Sequence, residues 1–120
     1  MEIEKITING LSALRIVSGK GTVIQEPGDV NDLIAVCWEM EVKHLVLDEE
    51  QLDPSFFDLR TGLAGEVLQK LTTYRIRLAI LGDFTSYESK ALQDFIRESN
   101  RQGNILFLAD LKAVSDYWKD

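Results

Sequence analysis

The chain is poor in thiol, imidazole and positive charge. Its 120 residues include one cysteine, Cys37, one histidine, His44, and 13 basic side chains against 20 acidic ones, for a formal charge of −7. A lone cysteine makes no internal disulfide, which excludes a stapled scaffold and points to a reducing compartment. With a single histidine beside it, the ligand sets of zinc sites and the partners of a nucleophilic triad are also missing. No apolar run approaches the ~20 residues that a membrane helix needs. Met1 is followed by Glu2 and Glu4, not by a basic and then an apolar segment, so no signal peptide and a cytoplasmic location are expected. An excess of carboxylates repels phosphates, so neither nucleic acid nor an anionic membrane is an expected partner.

What is present is a globular balance of 45% hydrophobic and 28% charged residues, which excludes disorder and coiled coil. The length fits one domain over residues 1–120. The negative charge is concentrated. Residues 29–58 hold nine acidic side chains and one basic, Lys43, a local −8, while the remainder holds eleven acidic and twelve basic, a local +1. Such a stretch is either a solvated face or a docking surface for a basic partner.

Periodicity orders the elements. Residues 3–9 alternate with Ile6 and Ile8 on one face, Asn9-Gly10 marks a two-residue hairpin, and strand resumes through Leu14, Ile16 and Val17. Gly19-Lys20-Gly21 reads as a tight turn before a short extended piece at 22–24. Its likeness to a phosphate loop fails, because Leu14 and Gly21 stand where that motif has a glycine and a Ser or Thr. Asp29 is expected to cap a helix ending near Val42, with Val30, Leu33, Ile34, Cys37 and Met40 as its apolar stripe. The run 44–48 suits a central strand covered on both faces. Asp53 and Pro54 then open a single turn carrying Phe56 and Phe57. Asp58 or Thr61 starts a helix with Leu63, Val67, Leu71 and Tyr74 inside, and a strand follows at 75–81. Thr85 and Glu88 form a capping box for a helix that Gly103 ends, and Asn100 is placed to satisfy its terminal carbonyls. A strand at 104–109 precedes a helix capped by Asp110, with Leu111, Val114 and Trp118 inside. Alternating helices and short apolar strands require crossovers. The expected fold is therefore α/β, a mixed and largely parallel sheet with an N-terminal hairpin and about four helices.

Chemistry-bearing constellations are sparse. Cys37 falls on an apolar stripe and reads as core. Asp48, Glu49, Glu50 and Asp53 lack the spacing and the glycine of a calcium loop, so no metal and no cofactor are expected. The segment 56–70 breaks local rules, since Gly62 and Gly65 each cost about 1 kcal/mol in a helix relative to alanine. Either Gly62, Ala64 and Gly65 permit close packing, or the helix start presents N–H groups beside Arg60 and the Thr61 hydroxyl to an anion. The candidate surface is Asp58, Arg60, Thr61, Gly62, Gly65 and Glu66.

The stretch 44–81, containing H-L-V-L-D-E-E-Q-L-D-P-S-F-F-D-L-R-T-G-L-A-G-E-V-L-Q-K, resembles the middle of STAS domains, the fold of bacterial anti-sigma-factor antagonists. The fuller pattern, with Leu92, Phe95, Glu98, Ser99 and Asn100, resembles a bacterial family of unknown function with STAS-like organisation. In the antagonists a serine at the helix head is phosphorylated and switches partner binding. Alignment on Gly62 sets Arg60 over that serine, Thr61 over the next one and Leu59 over the preceding aspartate, with Asp58 one place early. An arginine takes no phosphate, so a switch of that kind would fall to Thr61. The resemblance therefore implies a non-catalytic protein-interaction or regulatory module acting through residues 58–66 on a protein partner. Independently of it, the exposed edge of the hairpin or the aromatics Phe56, Phe57 and Trp38 offer a route to self-association. The alternative is a module binding a small anion or nucleotide through Arg60, Thr61 and the helix N-terminus.

Overall fold

Asn9 and Gly10 both adopt positive φ, +50° and +84°, as a two-residue turn between right-twisted strands requires. The computed structural model describes residues 2–17 and 21–119, so the turn expected at Gly19 and Lys20 lies outside the described residues. The hairpin joins β1 (Glu2–Ile8) to β2 (Leu11–Val17), and alternation then gives α1 (Asp29–Glu39), β3 (His44–Asp48), α2 (Leu63–Thr73), β4 (Arg77–Leu81), α3 (Lys90–Gln102), β5 (Ile105–Leu108) and α4 (Leu111–Val114). The five strands lie in sequence order, with β1 antiparallel to β2 and every later pair parallel. The extended piece expected at 22–24 reduces to one bridge, Ile24 to Leu52.

Crossovers of one hand that always step to the next strand leave their helices on the same face of the sheet. Accordingly α1, α2 and α3 share one core with Leu14, Ile16, Leu45, Leu47, Leu78, Ile80, Ile105 and Phe107. The opposite face carries Ile8, Ala13, Val46, Ala79, Leu81 and Leu106, and among the described residues the C-terminal segment covers it, through Val114 and Trp118. The Asn9 side chain ties that segment down by donating to the carbonyls of Ser115 and Trp118. His44 meets the Trp118 ring edge-on at 4.7 Å between centroids.

Several local expectations are corrected. The side chain of Asp29 caps nothing in α1; it accepts the N–H groups of Gln25 and Glu26 and so shapes the loop before the helix. α1 stops at Glu39, with Met40 exposed. Thr85 does not open α3, because Asp83 accepts both its N–H and its hydroxyl; Ser89 caps the helix through the Leu92 N–H. Asn100 leaves the end of α3 alone and bonds both backbone groups of Phe107, at 2.7 and 3.2 Å. β5 is a sheet edge, so this amide blocks a strand row that would otherwise pair with another chain. Phe56 and Phe57 are buried and packed with Phe84, Tyr87 and Phe107, leaving only Trp38 of the three aromatics proposed for self-association exposed.

Candidate functional site

The parallel strands β3 and β4 end at Asp48 and Leu81, and the loops that follow build one end of the molecule. Residues 49–61 turn the chain three times in short 3-10 steps. Gln51, 1% exposed, anchors the first: its side-chain oxygen accepts the Asp48 N–H at 2.8 Å and its amide donates to the Ile16 carbonyl at 2.9 Å. Arg15 reaches the Asp48 carboxylate at 3.3 Å. Across the loop, Tyr87 donates to Glu49 at 2.5 Å, and Gly82 leaves room for that carboxylate, since a Cβ there would lie 2.5 Å from Glu49 Oε1. Burial and the neighbouring Glu49 hold the Tyr87 hydroxyl well above the ordinary phenol range.

The second turn behaves as read from the sequence: Asp53 accepts the Ser55 N–H and hydroxyl, and Pro54 occupies its first position. These bonds to Ser55 lower the Asp53 pKa. Asp58 caps the third. Its carboxylate accepts the Arg60 backbone N–H at 3.1 Å and grips the guanidinium through two bonds of 3.0 Å. The Arg60 bonds draw the Asp58 pKa below the ordinary carboxylate range, and the same pair raises that of Arg60. The Thr61 hydroxyl faces the Ser55 and Asp58 carbonyls at 2.7 and 2.9 Å and accepts the Leu63 N–H at 3.3 Å. Asp58 thus opens this separate turn and Thr61 closes it; α2 begins after Gly62, and the Thr61 hydroxyl meets its first N–H.

The glycines divide in their reasons. Gly62 has φ +78° at the junction of the turn with α2, a conformation that side chains other than glycine adopt at a cost of ~1–2 kcal/mol. A Cβ at Gly62 or at Gly65 would meet nothing within 4 Å, so neither glycine serves close packing. Leu63, Ala64, Val67 and Leu71 point inward as expected, whereas Tyr74 lies 47% exposed beyond the last turn. All six candidate residues are accounted for on one loop and helix start: Asp58 is half-buried, and Arg60, Thr61, Gly62, Gly65 and Glu66 are exposed.

The sequence reading missed the other end of the sheet. There Lys43, His44, Arg75, Arg77 and Lys119 surround a cavity of about 290 Å3 with Leu11. They are scattered between positions 43 and 119, and their only shared signal is position: Lys43, His44 and Arg77 adjoin or occupy the start of β3 or β4, and Arg75 lies two residues before β4. Burial and then the charge of Arg77 push the His44 pKa down. Among the described residues no group of three His, Cys, Asp or Glu side chains gathers as a metal site, and no helix is long and apolar enough to cross a membrane.

Fold and surfaces together define a mixed α/β domain with a five-stranded, mostly parallel sheet, four helices among the described residues and an N-terminal hairpin. Residues 9–117 match the family model described as Domain of unknown function (DUF4180), and the chain belongs to that family. Neither a curated protein nor a solved structure matches it significantly.

Proposed function

We propose that the chain is a non-catalytic, STAS-like interaction module of the bacterial cytoplasm that binds a protein partner, or a second copy of itself, through Asp58, Arg60, Thr61, Gly62, Gly65 and Glu66. One observation carries this reading: the polar groups of the exposed 58–62 turn are bonded to one another. A turn so satisfied presents a fixed shape and a local charge pattern, which suits recognition by another surface. It leaves no unpartnered acid, base or nucleophile for chemistry. The strand–loop–helix order that resembles anti-sigma-factor antagonists supports the same surface. Binding of a small anion or nucleotide by Arg60, Thr61 and the start of α2 is the weaker reading, because Asp58 already matches the Arg60 charge and Leu63 already uses the Thr61 oxygen.

Site-specific photocrosslinking tests the proposal. A photoreactive side chain at position 61 is expected to give one discrete adduct in cells, lost on Arg60→Glu. The same group at exposed Lys90 serves as control. Equal adducts from both positions, or an adduct indifferent to Arg60→Glu, would sink the reading.

A further inference from the structure

α1 and α2 end alike, and both endings are costly. After α1 the chain turns through Glu41 at φ +56°, with the Val42 N–H bonded to the Cys37 carbonyl; after α2 it turns through Arg75 at φ +57°, with the Ile76 N–H bonded to the Leu71 carbonyl. This is the helix ending that glycine ordinarily serves, and α3 uses Gly103 at φ +86° for it. Side chains other than glycine, asparagine or aspartate in that conformation are uncommon and cluster at functional positions. Arg75 and Glu41 line the same space, a cavity of about 430 Å3 floored by Cys37, Val42 and Ile76. Its walls are Trp38 and Tyr74, 68% and 47% exposed, whose rings meet edge to face at 6.4 Å.

Lys43 and Arg75 also line the adjoining 290 Å3 cavity, with Arg77 and Lys119. These four cations form no ion pair with any described carboxylate, whereas Arg15, Arg60, Arg97 and Arg101 each have one. On a chain of charge −7 this is a local reversal of sign. An exposed aromatic wall continuous with a cluster of unpaired cations matches a ligand that joins a flat ring to a multiply charged anion. Taken as one continuous space, the two cavities fall in the size range of small-ligand sites. The Glu41 carboxylate lines only the aromatic cavity, where an acceptor suits a ring amino group and would repel phosphate.

We propose that this end of the sheet binds a nucleoside phosphate, the base against Trp38 and Tyr74 and the phosphates on Lys43, Arg75, Arg77 and Lys119. The site is separate from the 58–66 surface. Calorimetric titration of the full chain with ATP, inorganic triphosphate and adenosine tests it. ATP is expected to bind with a Kd below about 1 mM, more weakly as salt rises, and more tightly than triphosphate or adenosine alone. Arg75→Gly removes the charge while suiting the backbone, so it should fold at least as well as the parent. It and Arg77→Ala are each expected to weaken ATP about tenfold. Trp38→Ala is expected to weaken ATP about tenfold and leave triphosphate unchanged. Absence of ATP binding below about 1 mM, equal binding of ATP and triphosphate, or full affinity in folded Arg75→Gly and Arg77→Ala overturns the proposal. So does a loss of ATP affinity on Arg60→Ala, which would return the anion to the other end of the sheet.

Discussion

The two ends of the sheet carry charge in opposite ways. Where β3 and β4 finish, the carboxylates of Asp48, Asp53, Asp58 and Asp83 and the amide of Gln51 are tied to Arg15, Ser55, Arg60, Thr85 and backbone groups. Where the same strands begin, Lys43, Arg75, Arg77 and Lys119 stand without a described acidic partner. Internal pairing makes a surface rigid and chemically quiet, while unpaired like charges raise the local potential and remain available to a ligand. The strand-starting end also holds the charged residues at positive φ, Glu41 and Arg75 at the tails of α1 and α2, where the tail of α3 has Gly103.

Breaking the rigid end should produce the largest effect. Gln51→Ala removes a buried link between β2 and β3, so that the Asp48 N–H and the Ile16 carbonyl lose their side-chain partner; urea denaturation should show a loss of about 2–3 kcal/mol. Gly62→Ala forces a Cβ into the left-handed region and should lose ~1–2 kcal/mol in the same assay, although it meets no neighbour. Gly65→Ala has the opposite sign, since the site is helical and open; thermal melts should show a gain of ~1 kcal/mol. If Gly65 lies in a partner interface, that more stable variant should also crosslink more weakly.

The smallest effect sharpens the basic end. The folded chain disfavours protonation of His44, through burial against Trp118 and then the charge of Arg77, so its pKa lies below the ordinary 6.5. The unfolded chain therefore binds the proton first, and stability present above pH 6.5 is lost as pH falls through the folded value. Asp53, Asp58 and Asp83, all with lowered pKa, add further losses only below their ordinary 3.8. Melting temperature should be level just above neutrality and begin to fall below pH 6.5, and His44→Gln should flatten that first decline. A wild-type decline that starts only in the carboxylate range would show that His44 is not held neutral.

Patterns shorter than a turn or two were legible in the chain. Asn9-Gly10, the apolar run 44–48, the Asp53-Pro54 turn, Gly103 and Asp110 each act where their local chemistry places them. Failures arose where two local partners competed or where the partner was distant. Thr85 is a good cap in isolation, but Asp83 takes it first and Ser89 opens the helix. Asn100 reads as a helix end until β5 is beside it. Of the candidate surface, the positions of Arg60 and Thr61 were legible, but the Asp58 grip that neutralises Arg60 was not.

By itself the sequence determined the order of strands and helices, the hairpin and most of the residues that enter the core, because these follow from periodicity and turn chemistry between near neighbours. It did not determine the exposure of Met40 and Tyr74 or the burial of Phe56 and Phe57. Tertiary structure decided which distant charges meet, Arg15 with Asp48 and the cations at the start of the sheet. Lys43, Arg75 and Arg77 converge because the parallel strands β3 and β4 begin at the same end of the sheet, and the C-terminal segment held by Asn9 brings Lys119 to them. Nothing in the spacing of four cations between positions 43 and 119 reveals a common cavity until that register exists.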